Sequence, residues 1–140
     1  MKGAEAKSIV HMDLDAFFVS VECLRTPKLK GLPLLIGGSS NRGVVAACSY
    51  EARKFGIHSA MPMRTAKKLC PHATVIGGDA EQYSKYSNIV TEIIAEQVPV
   101  YEKASIDEFY IDLSGMERFF NAYLLARKIR DDIKRETGLA

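Results

Sequence analysis

The chain has 140 residues and a net charge of +2, and 47% of its residues are hydrophobic and 26% charged. This length and composition are typical of one globular domain with a substantial core. No apolar run is long enough to span a bilayer, and residues 1–7 lack the hydrophobic stretch of a signal peptide. We therefore expect a cytoplasmic protein with no membrane partner, whose residues 1–7 are disordered or derived from a tag.

The charge is distributed unevenly along the chain. Residues 25–79 carry nine Lys and Arg against two acids, a net of +7, whereas residues 1–24 sum to −2 and residues 80–140 to −3. A basic segment between acidic flanks predicts that one part of the protein binds a polyanion and the other binds cations. A solvated basic surface is the alternative.

The first predicted element is a strand over residues 8–14, because apolar and polar residues alternate there. Ile9, His11 and Asp13 fall on one of its faces, and we interpret His11 as structural. Asp15 follows the strand and is expected to cap the first helix.

The basic segment contains short elements. Two apolar runs over residues 32–36 and 43–48, joined by a Gly-rich loop, predict a hairpin. A helix is expected over residues 49–55, where Gly56 can take the left-handed conformation that ends it, and another from Pro62.

The last part of the chain alternates helix and strand. A long amphipathic helix follows Asp79, residues 99–113 are strand-rich, and a final helix runs over about residues 118–136, with Tyr123 on its buried stripe and Gly138 at its end. Without the basic segment the order is β-α-β-β-α. It predicts an α+β fold in which a ferredoxin-like unit lacks its final strand, and so a truncated chain.

Two acidic clusters, Asp13-Leu14-Asp15 and Asp107-Glu108, are far apart in the sequence, and each follows a β-like run. Carboxylates that converge at strand ends repel one another unless a cation neutralises them. Oxygen ligands favour Mg²⁺ or Mn²⁺, and paired ions of this kind serve phosphoryl transfer. The pattern predicts a divalent-metal site, although Asp15 suits a helix cap as well as a ligand.

Two further pairs are candidates for nucleotide binding. Tyr50 and Arg53 lie three residues apart on a predicted helix, where a phenol and a guanidinium could grip a triphosphate; a surface Tyr over an Arg stem is the alternative. Phe17 and Phe18 follow the first aspartates, and only one of two successive helix residues can face the core.

Four motifs carry a resemblance to a known family. They are Met12-Asp-Leu-Asp-Ala-Phe-Phe18, Tyr50-Glu-Ala-Arg-Lys-Phe-Gly56, Ser59-Ala-Met-Pro62 and Ser105-Ile-Asp-Glu-Phe-Tyr-Ile-Asp112. In this order they closely resemble the Y-family translesion DNA polymerases, and best the bacterial DNA polymerase IV (DinB) branch. The resemblance implies a palm domain formed by residues 1–24 and 80–140, with a small fingers domain over residues 25–79 inserted into it.

The resemblance also implies the roles of single residues. Asp13 and Asp107 match the aspartates that bind two Mg²⁺, with Mn²⁺ as a substitute, and Glu108 matches the catalytic glutamate. The Leu14 carbonyl is a further candidate ligand, whereas Asp15 is not a reliable one in the family. Phe18 matches the steric gate that excludes ribonucleotides, and Phe17, Tyr50 and Arg53 are the implied nucleotide-binding residues.

The implied partners are primer–template DNA and dNTPs, with a sliding clamp bound through parts that this chain lacks, and the protein is expected to be a monomer. Where the family usually has a Thr, this chain has Ala47, so one contact to phosphate, worth about 1 kcal/mol, is missing. Because the final palm strand, the thumb and the little finger are absent, we expect the isolated chain to be inactive. Two alternatives are a phosphatase of the HAD type, with Asp13 as nucleophile, and a non-catalytic nucleotide- or DNA-binding module.

Overall fold

A computed structural model describes residues 8–38, 40, 42–116 and 121–140. The predictions for residues 1–7 and for a helix start at residue 118 lie outside this range. The elements are β1 (Ile9–Asp13), α1 (Phe17–Arg25), a 3₁₀ turn (Pro27–Leu29), β2 (Leu34–Gly37), β3 (Val45–Cys48), α2 (Tyr50–Arg53), α3 (Met63–Leu69), β4 (Thr74–Ile76), α4 (Ala80–Ala95), β5 (Val100–Ser105), β6 (Glu108–Asp112) and α5 (Ala122–Thr137). Of the helices described, none is both long and apolar enough to cross a bilayer.

The chain divides into two compact units. The first comprises Met1–Asp15 and Tyr83–Ala140, and the second comprises Ala16–Gln82. In the first unit the element order is β1-α4-β5-β6-α5, and its sheet has the order β1-β6-β5 with both pairs antiparallel. This is the β-α-β-β-α order predicted from the sequence, so the predicted α+β class is confirmed.

The sheet of the first unit has a buried side and an open side. Phe109 and Ile111 of the central strand β6 are fully buried, as are Ile94 of α4 and Ile129 of α5. On the other side of the sheet, the side chains of β1 and β6 are exposed or half-exposed. We call this side of the two strands the open face. Its members are Ile9, His11, Asp13, Glu108, Tyr110 and Asp112. The alternation predicted for the first strand is therefore confirmed.

The second unit is built on the sheet β3-β2-β4. Strands β2 and β3 form the predicted antiparallel hairpin, and β4 joins β2 in parallel. At the end of β2, Gly37 has φ +155°, and a Cβ there would clash with the carbonyl oxygen of Val44. Only glycine therefore permits this close approach of the two hairpin arms.

Two helix predictions in this unit differ from the structure in their bounds. Helix α2 covers only Tyr50–Arg53, although Gly56 has the predicted left-handed conformation (φ +86°). Helix α1 has Ala16 at its N-cap position, in the left-handed region (φ +42°), one residue beyond the Asp15 that we expected there. A non-glycine residue in this region is strained.

Ser49 ties α2 to the sheet, and Ser49→Ala is expected to destabilise the fold. The buried Ser49 Oγ accepts hydrogen bonds from the N–H groups of Ala52 (3.2 Å) and Leu34 (2.9 Å) and donates one to the Leu32 carbonyl (3.0 Å). Removing the hydroxyl leaves these buried backbone groups without that partner, at a cost of about 1–3 kcal/mol. Urea denaturation measures this loss of unfolding free energy.

The matched control is Ser84→Ala on the exposed side of α4, which should change the free energy of unfolding by less than about 0.5 kcal/mol. Equal stabilities of the two variants would contradict the role of Ser49.

Candidate metal and nucleotide sites

The two acidic clusters lie on adjacent strands of the first unit. Asp13 ends β1 and Glu108 begins β6, and the two are Cα partners in the antiparallel register. Side chains paired in this way have Cβ atoms about 4.5–5.5 Å apart. Asp107 directly precedes Glu108, and its carbonyl accepts the Leu14 N–H at 2.9 Å. Pairing of β1 with β6 therefore brings Asp13, Asp107 and Glu108 to one end of the sheet.

The electrostatics of Asp13 show the cost of this arrangement. Partial burial raises the pKa of Asp13 above its ordinary value, and the negative charges of Asp107 and Glu108 raise it further. A bound cation would relieve both effects, because it favours the ionised carboxylate. The donors are oxygen atoms, and one of them is held in place, since Ser105 Oγ donates a hydrogen bond to Asp107 Oδ1 at 3.0 Å. This donor set fits Mg²⁺ or Mn²⁺.

The carboxylates do not form a closed cage. Within the described ranges, no group of three or more His, Cys, Asp or Glu side chains is already arranged to hold a metal ion. This arrangement is compatible with Mg²⁺, which is usually bound by one or two carboxylates together with waters and substrate phosphates. The assignment of Asp13, Asp107 and Glu108 as metal ligands stays a prediction.

His11 is the neighbour of this site that reasoning from the sequence missed. Its Nε2 lies 3.3 Å from Glu108 Oε2, and its ring stacks on that of Tyr110 with centroids 4.7 Å apart and an interplanar angle of 18°. The signal was present in the sequence, because His11 and Asp13 share one face of an alternating strand. The local pattern does not show which strand pairs with this one, so the contact of His11 with Glu108 could not be predicted from it.

The candidate nucleotide-binding residues lie in the second unit. In α2 the Arg53 guanidinium carbon is 4.8 Å from the centroid of the Tyr50 ring, which restricts the guanidinium to one side of the phenol. Phe17 and Phe18 of α1 have ring centroids 5.7 Å apart, tilted at 50°. Phe17 is 3% exposed, whereas Phe18 is half-buried, so Phe18 has the more accessible ring.

Solved structures share this fold. The chain is similar to DinB from Sulfolobus solfataricus, with a TM-score of 0.88 and 32% identity, over 94% of this chain and 40% of that one. It matches the insertion ternary complex of Dbh DNA polymerase with a TM-score of 0.88 and 33% identity, over the same shares of the two chains. The fold is therefore that of the Y-family DNA polymerases.

Sequence relatives give the family itself. The impB/mucB/samB family profile matches residues 12–140. The chain is 47% identical to DNA polymerase IV of Listeria innocua, over 96% of this chain and 38% of that protein. It is 49% identical to DNA polymerase IV of Clostridium perfringens, again over 96% of this chain and 38% of the relative. The chain belongs to the impB/mucB/samB family, which confirms the predicted Y-family membership, and it spans about two fifths of the length of these relatives.

Proposed function

We propose that this chain forms the palm and fingers of a DNA-directed DNA polymerase that extends primers across damaged template bases. In this proposal residues 1–24 and 80–140 are the palm and residues 25–79 the fingers. The observation that carries the proposal is the pairing of Asp13 with Glu108 on adjacent strands, with Asp107 beside them. The family membership supports it, and the relatives named DNA polymerase IV give the reaction class.

The acidic end of the sheet is the proposed metal site. Asp13, Asp107 and Glu108 would hold two Mg²⁺, with Glu108 as the catalytic carboxylate and the Leu14 carbonyl as a further ligand. When bound, the ions lower the pKa of the primer 3′-OH and neutralise the charge of the triphosphate and of the pyrophosphate leaving group. The raised pKa of Asp13, caused by partial desolvation and by the neighbouring acids, supports this assignment, because such a group gains most from a cation.

The incoming dNTP is bound by Tyr50 and Arg53 in this proposal. A guanidinium presents two parallel N–H groups that match phosphate oxygens. Stacking on Tyr50 already restricts the rotamers of Arg53, so Arg53 loses less conformational entropy when the nucleotide binds. Phe17 supports the nucleotide site, and Phe18 excludes the ribose 2′-OH. The fingers are small, so they enclose the new base pair loosely, which allows damaged templates and lowers fidelity.

Primer extension tests the proposal with a protein of the relatives' length that carries this chain. We expect Mg²⁺-dependent extension on undamaged DNA and past an abasic site, and none by the isolated chain, which spans two fifths of the relatives. A sliding clamp, bound through other parts of the longer protein, should increase the length of the products. The longer protein is expected to be a cytoplasmic monomer.

The alternatives give different outcomes in the same assay. A non-catalytic module would bind dNTP or DNA without extending the primer, and this result would overturn the proposal. A phosphatase of the HAD type would release phosphate from a model ester and form an adduct on Asp13 with a phosphoryl analogue. The phosphatase alternative gives no role to Tyr50 and Arg53.

The Phe18→Ala variant is expected to lose discrimination against ribonucleotides. Phe18 packs beside Val19, Leu29, Leu34 and Ile36, so the change removes the ring from a half-buried position. We expect the ratio of dNTP to rNTP incorporation efficiency to fall by at least about tenfold, because a steric contact of this size is worth 1–3 kcal/mol. Single-nucleotide incorporation measures the ratio.

Phe55→Ala is the control, since Phe55 is an exposed aromatic residue of the same unit that contacts the His72 ring edge-on. An unchanged ratio in Phe18→Ala, with normal dNTP incorporation, would show that Phe18 does not exclude ribonucleotides.

A further inference from the structure

We propose that His11 is a positioning residue that orients the Glu108 carboxylate, an inference that rests on the proposed metal site. On the open face, His11 and Tyr110 are the Cα pair next to Asp13 and Glu108. His11 therefore lies next to the carboxylate end of the sheet and opposite the Tyr110 ring. Its contact with Glu108 crosses the two strands diagonally, from Nε2 to Oε2 at 3.3 Å.

The chemistry of the contact fixes its direction. An ionised Glu108 carboxylate has no proton, so in this contact the N–H of His11 Nε2 donates the hydrogen bond and Glu108 Oε2 accepts it. The distance is at the long end of the hydrogen-bond range. A carboxylate has two oxygens, and only Oε2 is taken by this contact. Oε1 remains for a cation, and the hydrogen bond limits rotation of the carboxylate about its last side-chain bond.

Tyr110 makes the arrangement more rigid than a surface contact. The His11 and Glu108 side chains are 46% and 39% exposed, so either would move freely if it were alone. The stacked Tyr110 ring, which belongs to the central strand β6, restricts the imidazole to one plane. Because stacking already orders the His11 ring, less conformational entropy is lost when His11 holds Glu108 in one orientation.

Asp107 does not depend on His11 for its orientation. It accepts a hydrogen bond from Ser105 Oγ at 3.0 Å, so each of the two carboxylates has its own donor. Partners of this kind typically contribute 10–100-fold to the metal affinity of the site. Changing His11 should therefore leave the orientation of the Asp107 carboxylate unchanged.

Affinity for Mn²⁺, measured by the electron paramagnetic resonance signal of the free ion, tests this inference on the isolated chain. His11→Phe keeps a ring against Tyr110 and removes the donor, and it should weaken Mn²⁺ binding about 10–100-fold. His11→Gln keeps an N–H donor and should recover most of the affinity. His58→Phe, at an exposed histidine of the second unit, is the control and should bind as the unchanged chain does. Unchanged or tighter binding by His11→Phe would overturn the inference.

A second measurement needs no metal. Nitrogen-15 spectra of the His11 ring should show the proton on Nε2, and Glu108→Ala should shift both ring nitrogens. Glu102→Ala is the control, because Glu102 is the Cα partner of Tyr110 on β5 and makes the same change in charge. Nitrogen-15 chemical shifts of the His11 ring that do not change in Glu108→Ala would overturn the inference. Signals that respond, in a chain that binds no Mn²⁺, support the positioning contact and overturn the metal assignment instead.

Discussion

Replacing Asp107 with alanine is expected to lower the rate of primer extension roughly 10³-fold or more in the proposed full-length polymerase, because in the proposed mechanism it removes a fixed charge at the reacting phosphate. Asp107 directly precedes Glu108, whose Cα partner is Asp13, and its carboxylate is oriented by the Ser105 hydroxyl. Pre-steady-state incorporation of a single dNTP at saturating concentration measures the effect on the chemical step.

The control for this substitution is Asp131→Ala, which removes an exposed carboxylate from α5 whose contact is with the neighbouring Arg130 at 3.5 Å. It should extend primers at the unchanged rate. Circular dichroism and thermal melting establish that both variants fold. An Asp107→Ala protein that incorporates nucleotides at more than about a tenth of the original rate would contradict the role of Asp107, since tenfold is only 1.4 kcal/mol of barrier.

Phe109→Ala is expected to cost about 3–5 kcal/mol of unfolding free energy, which is a large share of the 5–15 kcal/mol that stabilises a domain. Phe109 is fully buried in the central strand β6, with Met12 and Lys103 as its Cα partners on the two sides. Truncation leaves a cavity directly after Glu108. Urea denaturation of the isolated chain measures the loss, and the same change should weaken Mn²⁺ binding by loosening β6.

Tyr123→Ala is the matched aromatic truncation, since Tyr123 on α5 is 70% exposed. It should change stability by less than about 0.5 kcal/mol. A loss below about 1 kcal/mol for Phe109→Ala would mean that the sheet is not packed as described.

The local pattern of the sequence predicted the strand that carries Asp13 and the face on which this residue lies, because a period of two leaves only two choices. It also predicted where α5 ends, since Gly138 has φ +83°, which glycine adopts readily. Register is different. The pairing of Asp13 with Glu108 depends on contacts between distant segments, and a shift of one residue would have placed Met12 or Leu14 opposite Glu108 instead of Asp13.

Other differences also come from long-range packing. Tyr123 continues the helical spacing of Ile129 and Ile133 and was expected to be buried, but the structure exposes it. Periodicity shows which face of a helix is apolar but not at which residue the core ends. Helix α5 begins directly after Asn121, whose side chain caps the N–H groups of Tyr123 and Leu124. The interaction of His11 with Glu108 was missed for the same reason as the register.

Anomalous X-ray scattering from crystals of the protein grown with Mn²⁺ and a dNTP is the most direct test of the proposed metal site. We predict two Mn²⁺ peaks about 3.5–4 Å apart, with oxygen ligands from Asp13, Asp107 and Glu108. Peaks bound elsewhere, or none at these carboxylates while the nucleotide is present, would contradict the assignment of the acidic end of the sheet as the catalytic metal site.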